Sequence, residues 1–296
     1  MFLNAVHGFC MALADSVPGV SGGTVAYVLG FYEKFINAIR TLLSADGVGI
    51  KKESFLYLCN LGVGWVIGMG LSVIALSALF EKNIYMMSSV FIGLTAAAIP
   101  FIIKSEKEWL RGRYVNLLWT VLGAAVVIAL TLFRGQNVHA GQVDLMETTP
   151  SLMIYLVISG AVAITAMVLP GISGSTILLI MGVYLPVITG LRELSRGNLA
   201  VLPGIACVAC GIVIGMAGAV RIIRAAFRHF RTQVVYLIIG LLIGSFVAIA
   251  YGPTTLGTGR DALSFDTLNI SGVVIGVLIL CVLEALPRLK GISENR

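Results

Sequence analysis

The segment Pro18-Gly19-Val20-Ser21-Gly22-Gly23-Thr24 returns 152 residues later as Pro170-Gly171-Ile172-Ser173-Gly174-Ser175-Thr176. A proline and two glycines within a few positions break a helix. The residues after the break open a new helix, whose free N–H groups and positive dipole end attract anions. Gly19, Gly22, Gly23, Gly171 and Gly174 let an oxyanion approach the backbone with no Cβ in the way. Ser21, Thr24, Ser173, Ser175 and Thr176 add hydroxyl donors. The chemistry on offer is anion binding, and two such helix starts facing each other are able to share one phosphate. Neither turn carries Lys or Arg, so an anion there is held by dipoles and hydroxyls, more weakly than by an arginine clamp. That suits a ligand that has to leave again. Tight turns and helix capping use the same residues, and capping and anion binding use the same donors.

Asp15 and Glu33 flank the first motif, where the repeat places Met167 and Leu185. A carboxylate inside a membrane is costly and functional by default, so both are candidates for coupling to a proton or sodium gradient. Arg221, Arg224 and Arg228, continued by Arg231, recur at helical spacing. They form either a solvated stripe or a contact for anionic lipid headgroups. Gly64-x-x-x-Gly68, Gly211-x-x-x-Gly215 and Gly240-x-x-x-Gly244 are close-packing patterns between helices. Cys207-x-x-Cys210 lies in an apolar run, like the other three cysteines, and reads as packing, with too few further ligands for a metal. No metal or organic cofactor is expected.

The elements that position these residues follow from composition. Of 296 residues 58% are hydrophobic and 11% charged, against roughly 25% charged in soluble domains. The charges cluster between apolar runs, several of them longer than the ~20 residues that span a bilayer. A soluble fold is excluded in favour of a polytopic all-α membrane protein. The net charge of +6 comes without a basic tail or interleaved basic and aromatic surface, so no nucleic-acid partner is expected. Ala12-Leu13-Ala14 has the form of a signal-peptide cleavage site, but no basic segment precedes it, and the N-terminus is expected to be retained.

The motif repeat extends outward, pairing Gly8 with Gly160, Gly30 with Gly182 and Tyr32 with Tyr184, and further on the offset falls to 147, laying Val66-Ile67-Gly68-Met69 over Val213-Ile214-Gly215-Met216. The chain therefore reads as a duplicated unit. The first repeat is 1–133 (broken-helix hairpin 1–43, spans 54–80, 84–103 and 114–133), and 134–150 is a polar linker. The second is 151–286 (hairpin 151–191, spans 197–220, 232–251 and 267–286), and 287–296 is a tail. Unwound backbone at membrane depth is tolerated only where it is buried or lines a cavity, which marks the breaks as sites.

Counting Lys and Arg decides how the broken stretches run. If they are re-entrant, one side carries 14, in the clusters Arg40–Lys52, Lys104–Arg113, Arg221–Arg231 and Arg288–Arg296, and the other side 5. If they cross, the split is 10 against 9. Only re-entrant hairpins satisfy the positive-inside rule. Each half then has three crossings, so the second is inverted relative to the first, as in secondary transporters. Both chain ends are expected in the cytoplasm of a cell bounded by this membrane. Oligomeric state is left open, with a homo-oligomer allowed.

The run from Gly8 to Thr24, with Gly30-Phe31-Tyr32-Glu33 and Leu169-Pro170-Gly171-Ile172-Ser173-Gly174-Ser175-Thr176, resembles the bacterial polyprenyl-phosphate transporter family over essentially the whole chain. The resemblance implies an inner-membrane flippase that returns undecaprenyl phosphate, the carrier lipid of cell-wall synthesis, to the cytoplasmic leaflet. Undecaprenyl-pyrophosphate phosphatases are similar in layout but carry Pro-Gly-x-Ser-Arg-Ser, and Gly22 and Gly174 stand where that arginine would be. Phosphoryl transfer relies on cationic stabilisation of developing charge, so hydrolysis is the weaker expectation. A small-anion transporter or channel keeps the same site without the lipid tail.

Overall fold

The computed structural model of the chain describes residues 2–15, 21–43, 48–71, 77–134, 143–146, 149–255 and 261–289. Pro18 and Gly19 of the first motif, most of the 134–150 linker and residues 290–296 of the tail lie outside the described residues.

The described chain is helical. The first unit contains α1 (Phe2–Asp15), α2 (Gly22–Val28), α3 (Tyr32–Leu43), α4 (Val48–Leu71), α5 (Ser77–Ser105), the short α6 (Lys107–Leu110) and α7 (Leu117–Arg134). The second contains α8 (Pro150–Val168), α9 (Gly174–Ile180), α10 (Tyr184–Ser195), α11 (Leu202–His229), α12 (Arg231–Ala250) and α13 (Ile270–Leu289). Among the described residues six stretches are long and apolar enough to cross a bilayer: Gly49–Leu71, Asn83–Ser105, Tyr114–Leu132, Pro150–Val168, Leu199–His229 and Arg231–Ala250. Large apolar side chains such as Val66, Leu118, Val213 and Leu278 lie on the outside, as lipid contact requires and water does not tolerate in such number. This is a multi-pass membrane protein.

α5 kinks at Asn83, whose backbone leaves the helical region (φ −136°, ψ 42°), so its long apolar part starts where the sequence places a span. α2 and α9 end alike. Gly30 (φ 75°) and Gly182 (φ 67°) are left-handed, and the next N–H reaches back five residues in each, Phe31 to Ala26 and Val183 to Leu178. This is the glycine-terminated cap that turns a chain sharply out of a helix.

Four helix pairs carry the packing: α1 with α4, α8 with α11, α5 with α13 and α7 with α12. Glycines set their spacing by bringing one backbone onto another. Gly64 and Gly68 lie against Ala5 and Phe9, and Gly211 and Gly215 against Val157 and Ala161. Gly240 and Gly244 lie against Thr120 and Ala124, and Gly272 and Gly276 against Met86 and Val90. In all four pairs both partners advance together by four residues, so the paired helices run parallel. The contacts of one unit also map onto those of the other through the sequence offsets, with α5 and α7 each packed on a helix of the opposite unit. Met11, Val25, Phe31, Ile36, Leu61, Val168 and Val220 form a buried core around the first broken stretch and bind it to the second unit.

Candidate functional site

Ser21 precedes α2 in extended conformation (φ −127°, ψ 136°), and its Oγ accepts from the Gly23 N–H at 3.1 Å. This caps the helix start as its residue type predicts. The Gly22 N–H is taken by Asp15 Oδ1 at 2.7 Å, and Asp15 Oδ2 accepts from Trp65 Nε1 at 3.0 Å. A Cβ on Gly22 would come within 2.7 Å of that carboxylate. The first motif thus already holds a carboxyl group, supplied by the end of α1. Ser21 and Thr24 are buried.

The two motifs meet. Ser21 Oγ donates to the Met167 carbonyl at 3.3 Å, and the Gly171 N–H donates to Thr24 Oγ1 at 2.8 Å. A Cβ on Gly23 would meet the Val168 carbonyl at 2.9 Å, and Tyr32 OH donates to that carbonyl at 3.0 Å. Gly171 is left-handed (φ 92°) with its Cα face on the Leu241 backbone, a place only glycine fills. Pro170 is buried beside it.

Beyond this junction the motifs differ. Ser173 precedes α9 in extended conformation without a side-chain cap, and its Oγ pairs with Ser175 Oγ at 2.8 Å. Ser173, Ser175 and Thr176 are only half-buried, and Met167 replaces the carboxylate that fills the first motif. The sequence treats the two helix starts as equals. In this conformation the Gly22 and Gly23 N–H groups and the Ser21 hydroxyl of the first are engaged within the protein, and Ser173, Ser175 and Thr176 of the second are the more exposed.

Glu33 sits apart from Asp15, its half-exposed carboxylate 3.2 Å from Arg231. Arg231 also forms a two-pronged pair with Glu106 at 2.9 and 3.1 Å and lies over the Trp109 ring. Arg113 donates to Thr232 Oγ1 at 2.6 Å. The loop before α7, the turn between α11 and α12 and the start of α3 therefore share one end of the molecule. Arg224 and Arg228 face a cavity at that end, and Arg221 is exposed outside it. Sequence reasoning missed Trp65, Tyr32 as a bridge and the Arg231–Glu106 pair. Trp65 lies within Gly64-x-x-x-Gly68, and Tyr32 stands out only as a repeat-matched residue and as part of the Gly30-Phe31-Tyr32-Glu33 run.

A profile of the undecaprenyl phosphate translocase-like family matches residues 11–264. The polyprenyl-phosphate transporter of Staphylococcus aureus is 34% identical over 263 residues, which cover 86% of this chain and 88% of that one. The polyprenyl-phosphate transporter of Vibrio cholerae is 28% identical over 253 residues, covering 82% and 76%. No solved structure matches the chain. These names describe transport, not hydrolysis, in agreement with the turns that lack arginine. With both motifs, their junction and the basic end all inside the matched span, the chain belongs to the undecaprenyl phosphate translocase-like family.

Proposed function

We propose that this protein carries polyprenyl phosphate across the cytoplasmic membrane, returning the carrier lipid from the outer to the inner leaflet for envelope synthesis. The phosphate binds where the two Pro-Gly-x-Ser-Gly-x-Thr segments meet. The observation that carries the reading is this junction, in which Ser21 and Thr24 bond to the chain of the second motif and leave Ser173, Ser175 and Thr176 accessible beside it. Relatives named as polyprenyl-phosphate transporters support the choice of cargo.

In this reading the two units are inverted repeats with re-entrant hairpins. Parallel packing of α1 on α4 and of α8 on α11 supports it, because the intervening short helices must return the chain to the side where it entered. So does the bond between Glu106 and Arg231. Re-entrant hairpins put their loops on one side of the membrane, and crossing helices would put them on opposite sides. Parallel packing of α5 on α13 follows from inversion too, since without it these spans run in opposite directions. Asp15 is the coupling carboxylate of the mechanism: proton or sodium binding weakens its hold on the Gly22 N–H and frees that donor for the phosphate.

The reading is tested with purified protein in liposomes carrying labelled polyprenyl phosphate, following headgroup exposure in each leaflet together with phosphate release. Transfer between leaflets without release is expected. Release of inorganic phosphate from the pyrophosphate lipid, or no transfer above empty liposomes, overturns it.

A further inference from the structure

A cavity of about 250 Å³ opens between α3 and α11 at the basic end of the molecule. Arg224, Arg228 and Arg231 stand on it with Glu33, over a wall that includes Tyr32 and Phe227. The three cations are not equivalent. Arg231 is engaged by Glu106 and Glu33, whereas Arg224 and Arg228 have no carboxylate partner among the described residues. Behind the wall, Tyr27 packs against Tyr32 and Phe227 and keeps a buried hydroxyl with no hydrogen-bond partner among the described residues. Ile36 and Ile223 add apolar surface to the lining. Tyr32 links the cavity to the junction through its bond to the Val168 carbonyl.

The geometry points to a second binding site, for a phosphate monoester headgroup attached to an apolar chain, in which Arg224 and Arg228 hold the phosphate and Glu33 occupies Arg231 until the ligand displaces it. Two guanidiniums without a carboxylate partner among the described residues match a dianionic phosphate in charge and in fork geometry. A half-exposed single contact like Glu33–Arg231 is easily exchanged for a more highly charged anion. This inference rests on the transport reading, in which the site holds the lipid on the Lys/Arg-rich side before or after its passage through the junction.

The test uses the full-length protein in phosphatidylcholine vesicles containing polyprenyl phosphate with a diazirine on its first isoprene unit. Labelled positions are mapped after illumination. Label is expected at Phe227 and its neighbours. Arg224→Gln with Arg228→Gln is expected to reduce it by roughly tenfold, the loss of charged hydrogen bonds, and the corresponding double change to Lys, which keeps the charge, retains most of it. Glu33→Gln is expected to raise it by roughly threefold, because a competing anion is removed. Competition by millimolar inorganic phosphate identifies the headgroup as sufficient, and competition only by unlabelled polyprenyl phosphate identifies the whole lipid; both support the site. Displacement by phosphatidylglycerol but not by phosphate overturns it, as does equal labelling in wild type and the Gln double variant, or a change of the same sign in the Arg and Glu33 variants. The expected labelling pattern without lipid transfer refutes the transport reading alone. Transfer with no label at Phe227 refutes the cavity site alone.

Discussion

At the residue scale, two serines that the repeat makes equivalent do different work. Ser21 caps α2 and bonds to the Met167 carbonyl from a buried position. Ser21→Ala is therefore expected to lower stability by about 1–2 kcal/mol, the usual cost of losing a cap, measurable as a fall in the melting temperature. Ser173 makes neither bond and pairs only with the Ser175 hydroxyl two residues on, so Ser173→Ala is expected to leave the melting temperature within about 1 °C, the small change usual where no buried contact is lost. Asp15→Asn keeps the shape of the side chain, but an amide that accepts from Gly22 turns its NH₂ toward Trp65 Nε1, itself a donor. Transport by that variant, followed over a series of pH and sodium concentrations, is expected to lose its dependence on the coupling ion; a wild-type profile would remove Asp15 from the mechanism. The motif was legible in the sequence because it occurs twice. That Asp15 fills the first copy was not, since the bond depends on α1 and α2 being brought end to end and on Trp65 from a helix fifty residues away.

At the element scale, glycines on α4, α7, α11, α12 and α13 let helices approach backbone to backbone. Gly211 sits on the Val157 carbonyl, while Gly70 has nothing within 4 Å. Gly211→Ala is expected to destabilise the protein by about 3 kcal/mol or to abolish its folded yield, the upper range for overpacking, because the obstacle is backbone. Gly70→Ala is expected to be neutral or to stabilise by up to ~1 kcal/mol, the helix-propensity difference. Detergent-solubilised thermal unfolding of the two variants side by side measures this contrast. Small-xxx-small patterns were visible in the sequence, but their partners were not. A pattern fixes which face packs closely and leaves open which helix it meets, and here α5 and α7 each pair across the repeat. The broken stretches were legible as interruptions. Their division into two short helices was not, because Gly30 and Gly182 look like ordinary interior glycines until their left-handed backbone is seen.

At the scale of the whole molecule, the distribution of charge told more than its total. Sorting Lys and Arg by loop predicts that residues 104–113 and 221–231 share a side, and the described structure joins them through Glu106 and Arg231. Single cysteines at Lys107 and His229 in a cysteine-free background are expected to react with a membrane-impermeant maleimide only from the cytoplasmic side, and one at Asn198 only from outside. Labelling of Lys107 and His229 positions from opposite sides would contradict the inverted arrangement. What the charge count could not contain is the cavity between α3 and α11, since it depends on how two units pack and not on the side each loop occupies.

In the proposed mechanism the phosphate of the carried lipid passes the junction of the two motifs by way of the hydroxyls of the second. This route is tested most directly by the initial rate of polyprenyl phosphate transfer between leaflets in proteoliposomes containing the Ser173→Ala, Ser175→Ala double variant, compared with wild type at matched folded protein. A fall of roughly tenfold or more is expected, from the loss of hydrogen bonds to a charged ligand. Wild-type rates in the double variant would contradict it.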